Sequence, residues 1–485
     1  MIHSIINHQS EPGHSDRLIE NRNPSTGESS PPWASAEATQ IDRAVTAARA
    51  ASSAWANTPL GERETLLRRY AAIVSEHKEE LALVICAEAG KPLWESRQEA
   101  GAVVGKIELS IQAYAERCAT FGSGPSRTRF KPHGVLGVLG PFNFPAHLPN
   151  GHIVPALLAG NTVVFKPSER VPAAAQLMMA YWQEAELPRG VLNLVQGDGS
   201  AGAALAAHDG IDGLLFTGGS TIGETLRRDF AHQPNKILAL ELGGNNPLVV
   251  WDPDNLPLAV NLILQSAYVT AGQRCTCARR LILPLDSRGD TILNALTTAM
   301  DQLRTGPAAA DPAVFMGPVI NAAAATHLVA KQAQLIDQGA IALRRLEHHQ
   351  AHTGLVSPGL LDATAIADLA DEELFGPLLM VRRVESFADA ITEANRTAYG
   401  LSAGLVSGQT DAYQIFSTQV RSGIINWNTP LTGASGGAPF GGLGLSGNHR
   451  PSGYFAADYC SYAVASLEKE QLDPTAPLPP GLSTH

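Results

Sequence analysis

Long apolar runs are missing from this chain. Nowhere in its 485 residues is there a stretch of about 18 apolar residues, the length a membrane-spanning helix needs, so no span is expected. The first 23 residues are polar and rich in His and Asn, without the apolar core of a secretory signal. Cysteine is scarce, odd in number and scattered, at Cys86, Cys118, Cys275, Cys277 and Cys460. That excludes a disulfide framework and suits a reducing, cytoplasmic location. Positive charge is in deficit: 35 Lys and Arg against 46 Asp and Glu leave a net charge of −11. A nucleic-acid or anionic-membrane partner is therefore not expected. There is no fixed-period repeat, and no metal site is expected.

What is present is the composition of a globular protein, 44% hydrophobic and 17% charged. At roughly 150 residues per domain, the length suggests two or three domains. Residues 42–86 carry apolar positions at helical spacing, Gly90-Lys91-Pro92 breaks the pattern, and a further helix runs through residues 107–114. A Gly/Ser/Pro-rich break follows at residues 121–126. Beyond it, short apolar runs (Val135 to Leu139, Thr162 to Phe165, Val191 to Val195, Gly213 to Phe216, Ile237 to Leu240) alternate with helical windows. Such alternation predicts an α/β fold with a parallel sheet wrapped by helices. After Leu281 a second α/β series begins. Residues 468–485 are Pro-rich and read as a flexible tail.

Two stretches invite a ligand. In Phe216-Thr-Gly-Gly-Ser-Thr-Ile-Gly223 a strand runs through glycines into a helix, with Thr221 and Glu224 at capping-box spacing. A helix start of this kind suits a pyrophosphate, although the spacing is not G-x-G-x-x-G and an ordinary βα turn reads the same way. Lys166 ends a strand, with Glu169 three residues on. Together they suit ribose hydroxyls, and the carboxylate would repel a 2′-phosphate, favouring NAD over NADP; a solvated surface lysine is the alternative. Cys275 lies in Gly272-Gln-Arg-Cys-Thr-Cys-Ala-Arg-Arg280, on a short connection between an apolar helix and a strand. Arg274, Arg279 and Arg280 are expected to favour its thiolate; a small buried thiol is the alternative. Glu241, at a strand end before two glycines, suits a general base with a raised pKa, or equally a salt-bridged carboxylate. Asn143, between two prolines, suits an oxyanion donor or a turn residue.

Together, Pro141-Phe-Asn-Phe-Pro145, Lys166-Pro-Ser-Glu169, Glu241-Leu-Gly-Gly244, Gly272-Gln-Arg-Cys275, Glu373-Leu-Phe-Gly-Pro377 and Pro439-Phe-Gly-Gly442 closely resemble the aldehyde dehydrogenase superfamily, over residues 23–470. The resemblance implies a Rossmann-like NAD-binding domain (1–126 and 140–243), an α/β catalytic domain (244–453) and oligomerisation arms (127–139 and 454–467). A homodimer or dimer of dimers follows from it. It also implies that Cys275 attacks the aldehyde, that Asn143 and the Cys275 N–H hold the oxyanion, and that Glu241 activates water. Gly218, Gly219, Ser220, Thr221, Ile222, Gly223, Lys166, Glu169, Glu373 and Phe375 would hold NAD. Relatives carry Gly-Ser directly after this Phe-Thr; here the serine is displaced by one, to Ser220. A closer match, in Asn150-Gly-His-Ile-Val-Pro155, Asn426-Trp-Asn-Thr-Pro-Leu-Thr-Gly433 and Ser446-Gly-Asn-His-Arg-Pro-Ser452, points to a branch acting on a doubly carboxylated semialdehyde.

Such a substrate needs cationic partners, since buried carboxylates are costly unpaired. Arg450, next to His449, is the first expectation and Arg274, beside Cys275, the second, with His147 and His152 near Asn143 also available; Arg450 paired with an acidic residue near the C-terminal arm is the alternative. Three other functions compete: an acyl-transferring dehydrogenase using coenzyme A, a cysteine hydrolase without redox cofactor, and an idle scaffold. The carboxylate at Glu241 favours water over coenzyme A. Cys275 has no evident His/Asp partner, and an idle scaffold would have no need of Cys275, Glu241 and Asn143 together.

Overall fold

The computed structural model describes residues 1–472 and 476–482. The expected tail over 468–485 thus falls partly, at 473–475 and 483–485, outside the described residues.

Two seven-stranded sheets dominate. The first runs Ile237–Leu242, Gly213–Gly218, Val135–Leu139, Thr162–Lys166, Leu192–Leu194, Ser4–Ile6 and Gln9–Glu11 in spatial order. Its first five strands are parallel, and the two N-terminal ones close its edge antiparallel. Val135–Leu139 and Thr162–Lys166 are buried throughout, as strands covered by helices on both faces must be. Chain order reverses between Val135–Leu139 and Gly213–Gly218, which opens a crevice at their carboxyl ends.

The second sheet runs Ile341–Arg344, Gly359–Asp362, Leu378–Val384, Ala278–Pro284, Asn246–Val250, Ser402–Val406 and Ile424–Trp427, parallel but for its first strand. Three residues separate the strand ending at Leu242 from the one starting at Asn246. The carboxyl ends of the first sheet therefore face the amino ends of the second.

Ser126–Pro132 pairs antiparallel with Ser461–Leu467 in a two-stranded ribbon. Of the segment 127–139 expected as an arm, only residues up to Pro132 lie in this ribbon: Val135–Leu139 is the third strand of the first sheet, because its five residues are apolar or Gly and all buried. Among the described residues no helix is long and apolar enough to cross a membrane.

Candidate active site

The helix Leu256–Tyr268 delivers the chain into a turn, Val269–Gly272. Thr270, Ala271 and Gly272 there have φ of 54°, 51° and 69°. Left-handed backbone costs a non-glycine residue about 1–2 kcal/mol, so the turn needs outside support. Glu95, on the helix Leu93–Arg117, accepts from the Thr270 N–H at 3.0 Å and bonds its hydroxyl. Arg274 donates to Thr270 Oγ1 at 2.8 Å and to Glu95 at 2.9 Å. Arg279 donates to the carbonyls of Gly272 (2.6 Å) and Arg274 (3.0 Å). Asn246 donates to the carbonyls of Cys275 (2.6 Å) and Cys277 (2.9 Å).

These bonds correct an expectation. The three arginines brace backbone and carboxylates instead of stabilising a thiolate: Arg280 is likewise spent on the carbonyls of Asn245, Glu393 and Ala394. Burial, followed by the charges of Glu241 and Glu373, pushes the Cys275 thiol far up, and Arg279 opposes this only weakly. Cys277 is fully buried against the Val269 carbonyl.

Cys275 lines two cavities. The larger, about 860 Å³, also receives Asn143, Lys166, Glu169, Glu241, Glu373 and Phe375. Glu241 is the penultimate residue of its strand, its main chain bridged to Gly447, with Gly441 packed against its carboxylate. The Ser452 N–H faces it, yet neither carboxylate oxygen has a hydrogen-bond partner in the structure. Burial raises its pKa well above the carboxylate range. Asn143 donates to the Gln273 carbonyl at 2.8 Å, leaving its second amide proton for another acceptor.

The far end of this cavity is the glycine turn. The helix Ser220–Phe230 begins with Gly219 at its N-cap and no side-chain cap. The expected capping box of Thr221 with Glu224 does not form, because the helix starts two residues earlier, with Gly219 at the N-cap, and places Thr221 inside its first turn. Its first N–H groups thus stay open to an anion. Nothing lies within 4 Å of a Cβ built on Gly219. The displaced Ser220 hydroxyl bonds Tyr399 at 3.0 Å, and Ile222 lines the cavity while 54% exposed. Lys166 lies 3.6 Å from Glu169. Glu373 accepts from the Gly244 N–H at 3.0 Å, beside Phe375. An uncapped helix start, a lysine beside a carboxylate and exposed apolar surface fit a dinucleotide.

The smaller cavity, about 260 Å³, lies along the helix Leu93–Arg117 and includes Glu95, Glu99, Lys106, Arg274 and Phe440. His147 and His152 line it too, but burial pushes their pKa values down to about 4 and about 3. Both are neutral near pH 7. Arg450 and His449, expected at the substrate, are exposed and line neither cavity. The reason is Asn448, whose side chain clasps the main chain of Leu240 (3.0 Å) and Leu238 (2.8 Å). His449 then takes φ 62° and the chain turns outward. The sequence reading missed Glu95, Glu99 and Lys106. Their spacing at i, i+4 and i+11 on one helix face was the available signal.

The model of the Aldehyde dehydrogenase family matches residues 11–464. A Caulobacter vibrioides protein named N-succinylglutamate 5-semialdehyde dehydrogenase 1 is 53% identical, over 96% of this chain and 99% of its own. A Paraburkholderia xenovorans protein named N-succinylglutamate 5-semialdehyde dehydrogenase is 50% identical, over 95% and 96%. Among solved structures, PnpE from Pseudomonas sp. WBC-3, in complex with nicotinamide adenine dinucleotide, has a TM-score of 0.90 at 29% identity, covering 98% of this chain and 99% of that one.

Proposed function

Because the chain belongs to the aldehyde dehydrogenase family, we propose that it oxidises N-succinyl-L-glutamate 5-semialdehyde to N-succinyl-L-glutamate with NAD. The observation that carries the chemistry is Cys275 at the meeting of two cavities, with the unpartnered Glu241 carboxylate in the larger. The names of the two relatives support the substrate, and the NAD complex of PnpE supports the cofactor.

Gly219 and the first turn from Ser220, with Thr221 and Gly223, would hold the pyrophosphate of a dinucleotide in the larger cavity. Ile222 would flank its adenine, Lys166 and Glu169 would hold one ribose, and Glu373 the other. The aldehyde enters by the smaller cavity. Cys275 releases its thiol proton to solvent as Sγ adds to the carbonyl carbon. The second amide proton of Asn143 and the Cys275 N–H stabilise the oxyanion. Bound NAD supplies the acceptor for the hydride that leaves the thiohemiacetal carbon. Glu241 then takes a proton from water, which attacks the thioester, frees the carboxylic acid and restores the thiol.

The ribbon of Ser126–Pro132 and Ser461–Leu467 exposes Tyr462 (46%) and Leu467 (83%), which supports a homodimer or dimer of dimers formed through it. The five unpaired cysteines fit the reducing cytoplasm. The test is turnover of the succinylated semialdehyde against propanal, with NAD and with NADP, read as reduced cofactor. Preference for the semialdehyde and for NAD is expected; preference for propanal would refute the substrate.

A further inference from the structure

The charges around the smaller cavity do not cancel. Glu95 is paired with Arg274 at 2.9 Å. Glu99 is paired with Lys91 at 2.6 Å and also accepts from the N–H groups of Ala146 and His147 at 3.0 and 3.1 Å. His147 and His152 are neutral near pH 7. Lys106 is left over. Its side chain comes from the middle of the helix Leu93–Arg117, is only 5% exposed and lines the cavity that Cys275 also lines. Its ammonium donates to one neutral group, the Gly453 carbonyl, at 2.6 Å. An ammonium has three N–H donors, and among the described residues no carboxylate forms an ion pair with this one. Burial without a counter-ion pushes its pKa down to about 8.

A buried cation with unused donors, in the same cavity as the nucleophile, calls for an anion. We infer that Lys106 binds a carboxylate of the aldehyde substrate in the smaller cavity and thereby selects an anionic aldehyde over a neutral one. The inference rests on the substrate reading above, whose aldehyde carries two carboxylates. Arg274 cannot do this alone, since Glu95 already takes its charge, and Arg450 lies outside the cavity. Thr432 and Ser435, on the same lining, offer hydroxyl donors to the polar groups that Lys106 does not reach. The bound carboxylate completes the ion pair that the fold leaves open.

The experiment measures kcat/KM for N-succinyl-L-glutamate 5-semialdehyde and for propanal, in wild type, Lys106→Met and Lys106→Arg, each with NAD. In Lys106→Met the ratio of the two values should fall by about 10- to 150-fold, the worth of one charge-assisted hydrogen bond. The loss should sit mainly in KM for the semialdehyde. Lys106→Arg, which keeps the charge, should retain most of the ratio. An unchanged ratio in Lys106→Met, or the same ratio lost in Lys106→Arg, overturns the role of Lys106 while the substrate reading stands. Wild type preferring propanal overturns the substrate reading, and this inference with it. A further readout needs no variant to fold: wild type should bind N-succinyl-L-glutamate at least tenfold tighter than the derivative amidated at its succinyl and α carboxylates. Equal affinity overturns the inference.

Discussion

Cys275 and Cys277 stand two residues apart and meet different surroundings. One side chain reaches both cavities, while the other is sealed against the Val269 carbonyl. Cys275→Ala should therefore abolish NADH formation while NAD still binds, and Cys277→Ala should keep most of the activity. Comparable loss at both would mean that the nucleophile is misassigned. Glu241 adds a pH signature. Its pKa is raised by burial, and a general base must be deprotonated. Deacylation should accordingly fail as pH drops through that raised value, above the ordinary carboxylate range. Glu241→Gln should remove this limb and slow deacylation by about 10²- to 10⁴-fold. A burst of NADH then precedes a slow steady state, and stopped-flow traces without a burst would count against the role. Glu169, 3.6 Å from Lys166, belongs to the same scale: Glu169→Gln should raise kcat/KM with NADP relative to NAD, and an unchanged ratio would show that this carboxylate does not exclude the 2′-phosphate.

Among the elements, the turn Val269–Gly272 does most to fix the nucleophile. Gly272 has φ 69°, and a Cβ there would lie 2.2 Å from the Gly376 carbonyl oxygen. Gly272→Ala combines left-handed strain with overpacking, together roughly 2–5 kcal/mol. Both denaturant stability and kcat should fall, because the displaced turn carries Cys275 with it; an unaltered unfolding midpoint would show the turn to be slack. The helix Leu93–Arg117 is the second such element. Its buried face carries Glu95 to the turn, Glu99 to Lys91 and Lys106 to the smaller cavity, so one helix braces the nucleophile and lines the route to it.

At the scale of the whole molecule, the two sheets set the cleft and the ribbon sets the outer edge. An isolated two-stranded ribbon is marginal in water, and this one shows Tyr462 and Leu467 to solvent. Replacing both by Glu should shift the protein to a smaller species in sedimentation, with the fold of each copy intact by circular dichroism. An unchanged sedimentation coefficient would move the interface elsewhere.

Sequence by itself determined the two α/β halves, since strands buried on both faces must be written as continuous apolar runs. It also determined the family, and the short connection that presents Cys275 between a helix and a strand. What it left undecided is direction. Arg274, Arg279 and Arg280 are close to Cys275 along the chain, but side chains one to five residues away can point to backbone, solvent or thiol alike. Only the fold sent them to carbonyls and to Glu95. Arg450 was chosen for its charge, and Asn448 turns it away. Lys106 lies 169 residues from Cys275, yet both line one cavity. Charge and chemical type are local properties of a residue, whereas burial and the absence of a counter-ion arise only when distant segments meet.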